Sequence, residues 1–170
     1  MELHFHEGQF KRRTPDWCAA TVSGMIAATV LMCSAIGVII ADGGIVWGAI
    51  RMVAAIVMGD SVFVEPVSHN IAVLVEALTV YLALAIGYSL VLAALIEVCN
   101  VYSDLLMTLI VGAVFGAFLY LVNFYVMTAV FAWFIDARTW TNFSLHILYG
   151  LVNGISYVQI ARLRKSRPVA

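Results

Sequence analysis

Glu76, Asn123 and His146 are the residues whose types could do chemistry inside an apolar phase. A carboxyl, an amide and an imidazole held together could bind an ion, pass a proton or grip the polar end of a small molecule. A charged side chain in a membrane helix costs about 2.5–3.5 kcal/mol on insertion scales, so it tends to be paired or put to use. If the helix bearing Glu76 starts near Asn70, Glu76 lies about two turns in from the outer face. His69 stands seven residues earlier, on nearly the same face. Asn123 falls in the outer half of its own apolar run, and His146 one to two turns, roughly, into the next. Depth arithmetic thus places Glu76, Asn123 and His146 in one layer. His146, Gly150, Asn153 and Tyr157 follow the helical repeat, as do Gly112, Gly116, Tyr120 and Asn123. The expected constellation is a buried Glu76–His146 pair with Asn123 and Tyr120 beside it. The same residues also have a plain structural use. Asn and His between membrane helices contribute about 0.6 kcal/mol on average, and a desolvated Glu76 could be protonated and simply hydrogen-bonded.

Other polar groups carry weaker signals. His4, His6 and Glu7 are of metal-ligating type, but they are too few, and no metal site is expected. His69 and His146 would be the only histidine pair for a haem, and no cofactor is expected. Asp136 and Arg138 suit a surface contact or a cap for the last helix. Glu97 and Asp104 suit the solvation of an inner loop. Motifs for nucleophilic elbows, zinc proteases and phosphate loops are missing, so the chain is not expected to be an enzyme. Cys18, Cys33 and Cys99 are few and widely spaced, which predicts neither a disulfide nor a cysteine metal cluster. The first apolar run is longer than a typical signal core and has no clear small-residue cleavage site, so no cleavable signal is expected.

The elements that position these groups are set by lipid. Hydrophobic residues make up 64% of the 170-residue chain and charged ones only 11%, against about 25% charged in soluble domains. Charge-free runs cover Trp17–Ala41, Ala77–Ile96, Leu105–Ile135 and Thr139–Ala161. Each reaches the ~20 residues that a membrane helix needs, and none alternates as barrel strands do. The pattern predicts an all-α integral membrane protein, a bundle of four transmembrane helices. The spans are expected at about 17–41, 70–96, 105–127 and 141–163, forming one domain over 17–163. Tails cover 1–16 and 164–170. The third run would reach ~46 Å as one helix, so its end, TAVFAWFIDARTW, is expected at the membrane surface with Trp133, Phe134 and Trp140 in an aromatic belt. The apolar stretch 45–58 is too short to cross and reads as an interfacial or re-entrant helix. Arg51 at its middle would snorkel to water in the first case and face the bundle in the second.

Gly112 with Gly116, and Gly150 with Gly154, form GxxxG pairs that would let the third and fourth spans pack closely. Lys11, Arg12 and Arg13 precede the first span, and Arg162, Arg164, Lys165 and Arg167 follow the last. Both termini are therefore expected in the cytoplasm. The formal net charge of −1 and the absence of a basic face give no support for nucleic acid. Membrane lipids and other membrane subunits, or further copies of the chain, are the expected partners.

At GGIVWGAIRMVAAIVMG, GAVFGAFLYLVNFY and FAWFIDARTWTNFSLHILYG the chain resembles a group of small four-span bacterial inner-membrane proteins without established activity, some of them labelled symporter-like. The resemblance covers roughly Trp17–Tyr157 and implies a bacterial cytoplasmic membrane. It assigns no functional residue. The broken-helix core of a sodium–solute symporter needs more spans than this length supplies. Small size, short loops and close-packing faces favour an accessory or structural subunit of a larger membrane complex. The alternative is a small oligomeric transporter or channel using Glu76, His146 and Asn123.

Overall fold

The computed structural model describes residues 14–64 and 70–166. His4, His6, Glu7 and His69 lie outside the described residues.

Regular structure among the described residues is helical throughout. Helix α1 is Trp17–Ala41, α2 Val46–Met58, α3 Ile71–Val98, α4 Leu105–Leu121 and α5 Trp140–Lys165. Their ends have local causes. Asp16, Asn70, Asp104 and Thr139 precede α1, α3, α4 and α5, and each side chain accepts a backbone N–H of the first turn. This satisfies donors that a helix start leaves open. Helix α3 stops at Asn100, whose φ is 54°. The Asn100 N–H returns to the Glu97 carbonyl and the Val101 N–H to that of Ile96, a left-handed closure that Asn tolerates better than most residues.

Three helical stretches are long and apolar enough to cross a membrane: α1, α3 and Leu105–Ala129. The last joins α4 to a π turn at Val122–Val126 and a 3-10 turn at Met127–Ala129. Helix α2 is apolar but shorter. Helix α5 has 26 residues but carries Asn142, His146, Tyr149, Asn153 and Tyr157 along its length. It packs against α1, α3 and α4, so several of its polar side chains meet neighbouring helices.

Glycine sets the closest approach. A methyl group built on Gly112 would lie 2.5 Å from the Gly150 carbonyl oxygen, and one built on Gly116 would overlap the His146 carbonyl. The backbones of α4 and α5 touch there, which only glycine permits. At Gly154 the nearest atom is a Thr108 methyl at 3.4 Å, an ordinary contact.

A buried polar seam ties α1, α3 and α5. The Ser89 hydroxyl lies 2.6 Å from the Ala20 carbonyl and 2.8 Å from Asn153 Oδ1, sharing one proton between them. Ser23 is 3.2 Å away. At the end where α1 begins, Tyr157 donates to Glu97 at 3.0 Å and accepts the Asp16 N–H at 3.2 Å. Glu97 is consequently 7% exposed rather than solvating a loop. Asp104 caps α4 instead.

Helix α2 packs on the first half of α3 through Ala54, in one cluster with Val73 and Ala77. Trp133, expected in a surface belt, donates to the Met52 carbonyl at 3.1 Å and packs against Phe63 and Phe131. Trp140 stays 83% exposed. The segment after α4 therefore folds onto α2, because an indole N–H in an apolar setting seeks an acceptor.

Candidate functional site

Tyr88, Asn123 and His146 come from α3, the π turn after α4, and α5, and they form one hydrogen-bonded chain. The Tyr88 hydroxyl donates to Asn123 Oδ1 at 2.7 Å. Asn123 Nδ2 lies 3.3 Å from His146 Nε2, and His146 Nδ1 lies 2.8 Å from the Asn142 carbonyl. A carbonyl only accepts, so Nδ1 carries the ring proton and Nε2 accepts from the amide. Every step then has a donor and an acceptor, and the chain is neutral. The rings of Tyr120 and Phe124 stand edge-on to the imidazole, at 6.0 and 5.2 Å between centroids.

The chain lies along an apolar cavity of about 220 Å³. Leu31 of α1, Val53 and Ile56 of α2, Tyr81, Leu84 and Ala85 of α3, and Phe124, Met127, Phe131 and Phe134 after α4 complete most of the wall. A second cavity of about 290 Å³ lies between the second half of α1, α2 and the first half of α3. Both are bounded by Leu31, Val53, Tyr81 and His146, and among the described residues neither has a charged lining residue. Two of the wall's hydroxyls are already committed: Tyr81 donates to the Ala28 carbonyl at 2.8 Å and Tyr149 to that of Ala85 at 2.6 Å.

No family model, curated protein or solved structure matches the chain. The site therefore stands on its own geometry.

That geometry brings Asn123, His146 and Tyr120 together but leaves Glu76 apart. Ala85 pairs with Tyr149 and Ser89 with Asn153, so α3 and α5 run with an offset of 64 residues. Glu76 is then level with Trp140, about six residues or 9 Å from the level of His146. Among the described residues, no hydrogen bond or ion pair joins Glu76 to His146, so the expected pair is not formed. Counting turns from each helix start failed because the two starts are not at one depth.

Arg51 also stays outside the site. Its Nε donates to the Val62 carbonyl at 2.8 Å and its guanidinium lies over Phe63. Arg138, expected beside Asp136, instead donates to the Phe124 carbonyl at 2.6 Å and to the Thr128 hydroxyl at 2.5 Å. It thereby meets a carbonyl in the π turn that holds Asn123, and Thr139 rather than Asp136 caps α5.

Sequence reasoning missed Tyr88 and Tyr149. The signal for Tyr88 was its spacing: Tyr81, Ala85 and Tyr88 share one face of α3, and all three line the cavity. A tyrosine inside a lipid-facing run needs an acceptor, and only a neighbouring helix could supply it.

Proposed function

We propose that this is a four-span integral membrane protein that holds a small apolar molecule drawn from the bilayer. The observation that carries this reading is a cavity without charge among its described lining residues, whose walls converge on one neutral chain, Tyr88–Asn123–His146. Apolar walls with a few placed polar groups are the usual make-up of a small-molecule site. A fourth crossing by α5 is supported by the Asp16–Arg164 ion pair at 3.0 Å, which brings the end of α5 to the start of α1. Arg162, Arg164 and Lys165 gather at that end, so it is the cytoplasmic one. A bacterial inner membrane is the setting we propose.

An ion or proton path through Glu76, His146 and Asn123 has less support. Glu76 is out of register, and the Asn123 amide that separates Tyr88 from His146 is no ready proton relay. The accessory-subunit reading keeps one observation of its own. Thr79, Ala83 and Gly87 recur every fourth residue on the exposed side of α3, and a methyl on Gly87 would meet nothing within 4 Å. Small residues at this spacing accept another helix, so a larger complex could use that side without obstructing the cavity.

Purification in mild detergent, followed by solvent extraction and mass spectrometry, tests the binding reading. Wild-type protein should carry a stoichiometric apolar compound, and Val53→Trp, which fills both cavities from α2, should carry much less. Clean wild-type protein, or equal content in a folded Val53→Trp variant, would overturn the reading. Larger proteins that co-purify reproducibly would support the subunit role.

A further inference from the structure

We infer that the ligand is an uncharged single-tailed amphiphile whose head presents a carbonyl oxygen, with that head at Asn123 and the tail along the α1–α2–α3 cavity. The inference rests on the ligand-binding reading above and narrows it to a chemical class.

The head is specified by which hydrogen-bonding capacity is left over. Tyr88 gives its single proton to Asn123 Oδ1. His146 gives its Nδ1 proton to the Asn142 carbonyl, and its Nε2 lone pair receives one proton of Asn123 Nδ2. The amide has a second Nδ2 proton, which no described residue accepts, and Asn123 lines the cavity. Tyr81 and Tyr149 have spent their protons on backbone carbonyls. The wall therefore has an amide N–H to offer, and a carbonyl oxygen is its natural acceptor.

Charge is excluded by the same walls. Among the described residues, no Lys, Arg, Asp or Glu lines either cavity. A phosphate or ammonium head would lose its hydration with nothing to replace it. An ester, amide or quinone carbonyl loses far less and regains one hydrogen bond.

The tail is specified by continuity. The second cavity adjoins the first across Leu31, Val53 and Tyr81 and is walled mostly by apolar residues such as Ile36, Ile39 and Leu78, with Asn142, whose amide donates to the Ala137 carbonyl, at its α5 edge. A head at Asn123 leaves its tail to run past Leu31 into this space.

The test uses the full-length protein in nanodiscs with a long-chain methyl ester that carries a diazirine in its tail. Photolabelling is competed with the unlabelled ester, the matching alkane and the matching alkyl phosphate. The expected result is saturable labelling of α1, α2 and α3 around Ile36, Val53 and Leu78, with the ester competing about five- to tenfold better than the alkane, the worth of one net hydrogen bond. The phosphate should compete no better than the alkane. In Asn123→Leu the ester's advantage should vanish while the alkane competes as before. In Tyr88→Phe, which frees the Asn123 amide to turn, the advantage should shrink. Saturable labelling at those positions in wild-type protein with ester and alkane equal, or with the phosphate equal to the ester, would overturn the carbonyl head and leave the binding reading standing. Labelling that does not saturate would overturn both.

Discussion

His146 Nε2 lies 3.3 Å from the amide nitrogen of Asn123, and the contact is a hydrogen bond only while the imidazole is neutral. Nδ1 is occupied by the Asn142 carbonyl at 2.8 Å. A second ring proton would face the amide donor to donor and separate the two. The polar chain of the cavity is therefore stable in one protonation state.

Acid that charges His146 should release the ligand. Specific photolabelling by the diazirine ester, with the sample equilibrated at each pH before irradiation, should fall on the acid side in wild-type protein. His146→Gln, which can accept from Asn123 without titrating, should show a flat profile. A wild-type profile as flat as that of the variant would argue against this coupling.

The contact between α4 and α5 should be intolerant of a single methyl. Gly150→Ala places carbon against the Gly112 carbonyl and should cost about 1–3 kcal/mol, the usual penalty of overpacking. Gly87→Ala meets nothing within 4 Å and serves as the control. Thermal unfolding in detergent should separate the two variants clearly, and equal midpoints would mean that α4 and α5 can move apart at little cost.

Ser89 and Asn153 should be energetically coupled. Ser89→Ala leaves Asn153 Oδ1 without its 2.8 Å partner at a residue that is 0% exposed. Hydrogen bonds between membrane helices average about 0.6 kcal/mol, so a double-mutant cycle with Asn153→Ala should return a coupling of about that size. A coupling near zero would show that Ser89 acts through Ala20 alone.

Asp16 should add an acid limb to the stability profile. Burial alone would raise its carboxyl. The Ala19 N–H, the hydrogen bond and charge of Arg164, and the Cys18 N–H outweigh burial and hold the carboxyl below the usual 3.8. Folding thus favours the ionised form. The contribution is complete above pH 3.8 and is lost as pH falls through the lower folded value. The Arg164 side chain is 50% exposed, so the pair is worth under about 1 kcal/mol. Asp16→Asn keeps the cap and should lose only that, whereas Asp16→Ala should also lose the cap, about 0.5–2 kcal/mol. Unfolding midpoints measured across the acid range should show a shallower acid limb in Asp16→Asn than in wild-type protein.

Much of the architecture is local and so was legible in the chain. Long charge-free runs can satisfy their backbone groups in lipid only as helices. Asn70 marks where one of them begins, whereas the caps at Asp16, Asp104 and Thr139 emerged only in the structure. Gly112, Gly116 and Gly150 mark the face on which backbones can touch, because small residues at fourth positions leave a groove whatever fills it. Asn123 and His146 stand out by type alone. Periodicity assigns a residue to a face, but it cannot say how far one helix slides along another. That offset came from contacts between helices, Ser89 with Asn153 and Tyr149 with the Ala85 carbonyl. It took Glu76 away from His146 and brought Tyr88 to Asn123. The same holds for Trp133 on Met52, Glu97 under Tyr157 and Arg138 on the Phe124 carbonyl. Each is a polar group in an apolar setting taking a partner distant in sequence, and only the packed bundle decides which partner lies within reach.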